Sequence, residues 1–134
     1  MDFRIIDHKD QRYPTCGDYW CDIRGWHFRA SRLSRRRYSW LILVHEFTEW
    51  LLIQGTLTDI NDIDRWDMEY ERLRPRLSAG RLPCGCWITR VSEPGDDIHA
   101  PYHRAHRVAT AVERLAAMCL WVRWADYERE VESL

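Results

Sequence analysis

The sequence predicts an α+β fold: a small antiparallel sheet of two or three strands, packed on a bundle of three or four helices. Three observations carry that prediction. The first third of the chain holds short aromatic and β-branched segments separated by turn residues. A long apolar run with no strand-like alternation begins at Tyr38. Beyond it, apolar residues recur at helical spacing between Gly and Pro breaks. At 134 residues the chain is most simply one domain, with a strand-rich part over 1–36 and a helical part over 37–134. A hydrophobic content of 46% with eight tryptophans supports a packed globule rather than a disordered chain.

The strands are expected at Phe3–Asp7, Asp18–Ile23 and Trp26–Ser31, with a hairpin turn over Asp22–Gly25. The segment "HKDQRYPTCGD" reads as a loop, and Gly17-Asp18 as a turn. The first helix covers Tyr38–Gln54 and meets a C-cap glycine at Gly55. A second starts near Thr58, Asp59 or Asn61, each a capping residue, and ends just before Pro75. Residues 76–100 form a Pro/Gly-punctuated connection with a short strand at Cys86–Val91. The third helix follows, with Pro101 near its first turn, and "WADYEREVESL" closes the chain as a short amphipathic helix.

Overall charge selects no partner, since the formal net charge is -1. The basic run Arg35–Arg37 could touch phosphates, but near-neutral charge makes it a solvated loop rather than a nucleic-acid surface. The charged start "MDFRIIDHKD" lacks a secretory apolar segment, and no apolar run is long enough to span a membrane. The expected setting is therefore cytoplasmic, where disulfides are disfavoured. Cys16, Cys21, Cys84 and Cys86 form C-x4-C and C-x-C pairs. Four thiolates from two loops can hold a structural zinc, although neither spacing is that of a zinc knuckle, and free core or loop thiols are the simpler reading. Cys119, inside the third helix, reads as core.

The chemistry concentrates in "YSWLILVHEFTEWLLIQG", Tyr38–Gly55. Here His45, Glu46 and Glu49 interrupt the greasiest helix of the chain, and burying such groups without partners is costly. His45 and Glu49, four apart, share one helix face. The spacing is that of the H-E-x-x-H zinc helix, in which positions i and i+4 hold the metal and the intervening Glu acts as general base. Glu49 stands at the second ligand position; its carboxylate suits zinc and also admits Mn²⁺ or Mg²⁺. The third helix supplies further imidazoles in "HAPYHRAH": His103 and His106, three apart, as ligands, and His99 beside them. Asp97, with Glu93 and Asp96 in the preceding "EPGDD", could cap this helix or accept hydrogen bonds that orient the imidazoles. Asp67 and Glu71, an i, i+4 pair on the second helix, are candidates for the same supporting role.

These motifs resemble two groups of proteins. Strands followed by a helix bearing H-E-x-x-(H/E) and a second ligand helix resemble minimal, gluzincin-like zincins. The segments "YPTCGDYW", "LVHEFTEWLL", "DRWDMEYE" and "EPGDDIHAPYHRAHRVATAVERL" resemble a group of small phage and prophage proteins, across most of the chain. The zincin resemblance implies His45 and Glu49 as ligands and Glu46 as base. The chain departs from it in carrying Glu49 where a peptidase has His, and in drawing its imidazoles from more than fifty residues downstream. The phage resemblance implies a host cytoplasm as the setting.

Three function classes follow. The first is a metal-dependent hydrolase, acting on a peptide, a nucleotide or another ester or amide, with zinc held by His45, Glu49 and one or both of His103 and His106, a position left open for water, and Glu46 as general base. The second is a non-enzymatic phage accessory protein that binds a host protein and whose metal is structural. The third is a Mg²⁺-dependent nucleotide pyrophosphatase, suggested by Glu46-x-x-Glu49 followed by acidic residues; the strands and the histidine cluster speak against it.

Overall fold

The computed structural model describes residues 1–77 and 93–134, which contain three strands and four helices. In chain order these are β1 (Asp2–Ile6), β2 (Gly17–Asp22), β3 (Gly25–Ser31), α1 (Arg36–Ile53), α2 (Ile60–Leu77), α3 (His103–Cys119) and α4 (Trp124–Val131). Short 3-10 turns lie at His8–Asp10 and Pro94–Asp96. The α+β architecture expected from the sequence is thus present. The expected strand at Cys86–Val91 lies outside the described residues.

The sheet is mixed, not antiparallel as expected. Its order is β1-β3-β2, with Tyr19 opposite Phe28 in the antiparallel β2–β3 pair and Phe3 opposite Phe28 in the parallel β1–β3 pair. Because β2 and β3 form a hairpin, β2 takes one side of β3 and leaves the other side to β1. The hairpin turns through Ile23 and Arg24. Asp22 Oδ1 accepts the Arg24 N–H at 2.7 Å, and Gly25, at φ +106°, takes the left-handed conformation that re-enters the strand.

Alternation along the strands sorts the two faces. Phe3, Tyr19, Trp26 and Phe28 face α1, where Phe28 meets Trp50 and Phe47 edge-on at centroid distances of 5.5 and 5.7 Å. Asp18, Arg29 and Ser31 face the other way, yet all three are buried. The loop between β1 and β2 covers Asp18 and Ser31, whereas Arg29 is held by Asp2 at 2.7 Å and lies 5.0 Å over the Trp20 ring. Gln11 donates to Ser31 Oγ at 3.1 Å, and the Arg12 guanidinium grips Asp18 at 2.6 and 2.8 Å. Arg12 reaches on to Asp64 of α2 at 3.0 Å and lies 4.6 Å over the Trp20 ring, so one side chain ties loop, sheet and helix together.

Helix α1 occupies the middle layer, with the sheet on one side and α3 on the other. That placement explains why it is apolar almost all round. Ala109 and Ala117 are the small buried residues of α3 that let the two helices approach. The pairing is antiparallel: Arg37 donates to the Leu120 carbonyl at 3.2 Å, while Glu49 meets His106 at the opposite end. Asp59 caps α2, its Oδ1 accepting the Asn61 N–H at 2.9 Å. Helix α4 returns to the start of α1, where Tyr127 packs on Tyr38 and Ser34 donates to Glu130 at 2.7 Å.

Five local expectations change. Cys119, expected in the core, is exposed at the end of α3. Arg36 and Arg37, expected in a loop, form the first turn of α1. Gly17 and Asp18 open β2 instead of forming a turn. Gly55 is not a left-handed cap; the end of α1 is closed by Thr56, whose N–H and hydroxyl both donate to the Ile53 carbonyl, at 2.9 and 2.8 Å. Pro75 lies within the last turn of α2, which runs on to Leu77. A proline deletes one helical N–H, and so close to the end it leaves most of the helix ladder intact. No helix among the described residues is long and apolar enough to cross a membrane.

Arg12→Ala should destabilise the protein by roughly 2–4 kcal/mol, because it leaves Asp18 buried and without its cation. Urea denaturation checks this. A midpoint unchanged from wild type would show that the loop is not a fastening of the sheet.

Candidate metal centre

The interface between α1 and α3 gathers the polar side chains that interrupt both helices. His45 and Glu49 lie one turn apart on the α3-facing side of α1, and His106 faces them from α3. The three residues are 7, 4 and 5% exposed. His45 Nε2 and His106 Nδ1 stand 3.1 Å apart, and Glu49 Oε2 lies 3.5 Å from the first and 3.1 Å from the second. Three potential ligand atoms thus form a nearly regular triangle.

The other side of each group is fixed by a second partner. His45 Nδ1 lies 3.0 Å from Glu113 Oε2, one α3 heptad beyond His106, and Tyr127 donates to the other oxygen of Glu113. His106 Nε2 faces Glu93 and Asp96 at 3.5 and 3.6 Å. Tyr19 on β2 donates to Glu49 Oε1 at 3.1 Å, leaving Oε2 for the histidines. A carboxylate only accepts, so His45 Nδ1 carries a hydrogen toward Glu113, whereas His106 faces carboxylates at both nitrogens, Glu49 at Nδ1 and Glu93 and Asp96 at Nε2. With the His106 hydrogen on Nδ1, that N–H lies between Glu49 Oε2 and His45 Nε2. With it on Nε2, the inner nitrogens present lone pairs to each other and to Glu49 Oε2, and these repel unless a cation lies between them.

A proton or a metal ion can play that part. For protons the directions are plain. Burial alone lowers the pKa of both imidazoles, but hydrogen bonds to Glu113 and Glu49 raise His45 well above the usual histidine range. Asp96 and Glu49 likewise raise His106, to about 10. Against its own burial, Glu49 is held below the ordinary carboxylate range by His106 and His45. For a metal, the shape is suitable. Ligand atoms of a tetrahedral ion with bonds of about 2.0–2.1 Å stand roughly 3.3 Å apart, within the range of the three edges observed. Imidazoles whose outer N–H groups are directed at carboxylates also match the support that metal-binding histidines receive.

Glu46 sits beside this triangle on α1. Its carboxyl packs against Gly17 so closely that a Cβ there would lie 2.2 Å from Glu46 Oε1. Burial pushes its pKa well above the usual value, and Glu49, Asp18 and Glu93 add to the rise against the opposing pull of His45. Gly95 plays a matching part for His106, since a Cβ there would come within 2.4 Å of the imidazole. Both glycines are needed for close approach, not for an unusual φ.

Other candidates from the sequence stand elsewhere. His103 turns its Nδ1 to the Gly95 carbonyl at 2.9 Å, so it steadies the Pro94–Asp96 turn and lies outside the triangle. Asp97 is buried, with Oδ1 accepting the His99 N–H at 3.0 Å, and His99 is exposed. Asp67 accepts hydrogen bonds from Tyr13 at 3.2 Å and from Tyr102, in a second buried cluster next to the first. Glu71 follows one turn later on α2, half-buried. Of the four paired cysteines, Cys84 and Cys86 lie outside the described residues. Cys16 and Cys21 differ: Cys21 is exposed, whereas the Cys16 thiol is raised well above its usual pKa by burial and by Glu93, Glu46 and Glu113. Among the described residues, the one group of histidine, cysteine and carboxylate side chains close enough to share an ion is His45, Glu49 and His106.

Sequence reasoning missed Glu113, Tyr19 and Tyr127. Glu113 carried a usable signal, standing seven residues after His106 and therefore on the same face of α3. The tyrosines carried none.

Gly95→Ala and Gly17→Ala should each cost about 1–3 kcal/mol, because the added methyl drives His106 or Glu46 out of place. Thermal denaturation tests this; full stability in both variants would contradict the close packing described. Comparison with family models, curated proteins and solved structures finds no match for this chain, so what the centre can do follows from its geometry.

Proposed function

We propose that the protein is a metal-dependent hydrolase whose ion, most simply zinc, is held by His45, Glu49 and His106. The observation that carries this reading is the triangle of inward-facing ligand atoms, with edges of 3.1, 3.1 and 3.5 Å and each imidazole oriented by a carboxylate behind it. Two imidazoles and one carboxylate are also the ligand composition of open hydrolytic zinc sites, in which the fourth position belongs to water or substrate. Nitrogen ligands favour zinc over magnesium; manganese is the alternative that the carboxylate admits. This narrows the expected ligand set, with His106 serving and His103 supporting the turn beside it.

An ion held by these residues would act as a Lewis acid, polarising a substrate oxygen and lowering the pKa of water toward about 7. Glu46 supplies the base. It follows His45 directly in the chain, as in the zincin-like motif, and its raised pKa places it nearer the range in which a carboxylate accepts and returns a proton efficiently at neutral pH. Among the described residues no hydrogen bond occupies its carboxylate. The substrate class stays broad, covering a peptide, a nucleotide or another ester or amide.

A second reading has one observation in its favour. The three candidate ligands are almost fully buried, which also suits a structural ion in an accessory protein that acts on a host partner. Glu46 separates the two. Zinc should raise the melting temperature of the metal-stripped wild type, with a stabilisation near 2.7 kcal/mol when free zinc is a hundredfold above its Kd. His106→Ala should lose that response. Glu46→Gln should keep it, while turnover of a panel of peptide, ester and phosphodiester substrates falls by about 100-fold or more. Metal-loaded wild type that turns over none of these substrates would favour the structural ion. An unaltered zinc response in His106→Ala would remove the site itself.

A further inference from the structure

We propose that two copies of this chain associate through β1, the strands pairing antiparallel about a twofold axis at Phe3. Among the described residues β1 is an edge strand, hydrogen-bonded on one side to β3. Such an edge offers a row of backbone donors and acceptors to another strand, and proteins usually blunt or cover it. The residues of β1 specify what fits. Phe3 and Ile5 face the α1 layer, while Asp2 and Arg4 face the opposite side and pair at 3.0 Å; Asp2 is also held by Arg29 of β3 at 2.7 Å, so Arg4 is the more exposed of the two charges.

Antiparallel pairing centred on Phe3 sets Phe3 against the partner's Phe3. It also sets Asp2 against the partner's Arg4, and Arg4 against the partner's Asp2. These two contacts, one and its symmetry mate, are both attractive. The alternatives fail in identifiable ways. A twofold axis at Asp2 or Arg4 puts like charges directly opposite. An axis between two residues would set the α1 layers on opposite faces of the joined sheet, because a one-residue slip exchanges the faces. An axis at Ile5 sets Phe3 against the partner's Asp7. The short sequence of β1 is therefore self-complementary in one register.

The surface beside the strand agrees. Trp40, Val44, Phe47 and Leu51 recur at i, i+4, i+7 and i+11 along one face of α1. Phe47 packs against Phe3 with centroids 5.7 Å apart, so this face lies on the β1 side. Phe3, Trp40 and Leu51 are 44, 47 and 55% exposed. Between β1 and α1 runs a groove of about 510 Å³, lined by Phe3, Ile5, Trp40 and Leu43 together with Arg32 and Arg36. A stable interface buries about 800 Å² per partner, more than a single added strand provides. The α1 stripe supplies the additional apolar surface, and the joined sheet would have the strand order β2-β3-β1-β1-β3-β2.

Sedimentation equilibrium of the full chain at micromolar to submillimolar concentration tests this. Wild type should show a dimer. Arg4→Glu, which replaces two attractive contacts by repulsive ones, should weaken it about tenfold or more. Trp40→Glu should weaken it as well, and both variants should keep the wild-type melting temperature of the monomer. A wild type that stays monomeric throughout, or a dimer unaffected by both Arg4→Glu and Trp40→Glu, would overturn the proposal.

Discussion

Three buried ligand atoms brought together impose the constraint on which the core of this protein depends. His45 Nε2, His106 Nδ1 and Glu49 Oε2 lie within 3.5 Å of one another between two packed helices. A hydrogen or a metal ion must lie between them, held where three elements meet. Helix α1 contributes two of the atoms and α3 the third. Strand β2 sends Tyr19 to the remaining oxygen of Glu49. Any shift of α1 against α3 disturbs the whole set at once.

The surrounding structure reads as support for that arrangement. Glu113 and Tyr127 form a chain that ends on His45, so even the short α4 helps to orient an imidazole. The turn at Pro94–Asp96 holds carboxylates against His106, and is itself held by His103 and by Trp66 of α2, whose indole donates to the Pro94 carbonyl at 3.2 Å. Among the described residues, Gly17 and Gly95 are the glycines whose backbone presses directly on a site residue. A metal bound here would contribute its binding energy to folding, since the unfolded chain cannot assemble the triangle. Site and fold stability are thus one quantity to a large degree.

Much of this was legible in the sequence, and the unread parts share a physical cause. His45, Glu46 and Glu49 stand out because polar groups in a greasy helix must be satisfied, and His106 because imidazoles cluster in one short segment. The strands and helices were placed within a few residues because alternation and helical periodicity are local properties. The parallel pairing of β1 with β3 was not legible, since nothing local distinguishes a strand that pairs with its hairpin neighbour from one that pairs across it. Nor was the sorting of His103 from His106. Both can lie on the inward side of a helix, and only the packing of the Gly95 turn decides which one it meets. Tyr19 reaches Glu49 from thirty residues away, a contact that tertiary packing alone creates.

The central claim is that a cation, bound by two imidazoles and a carboxylate, resolves the conflict at the heart of the α1–α3 interface. X-ray absorption at the zinc edge, on untagged protein loaded with one equivalent of zinc, tests it most directly. The account predicts about four nitrogen or oxygen neighbours at roughly 2.0–2.1 Å, with the outer-shell pattern of two imidazoles. Sulfur neighbours near 2.3 Å would instead place the metal on the cysteines, and zinc that cannot be retained at all would contradict the account.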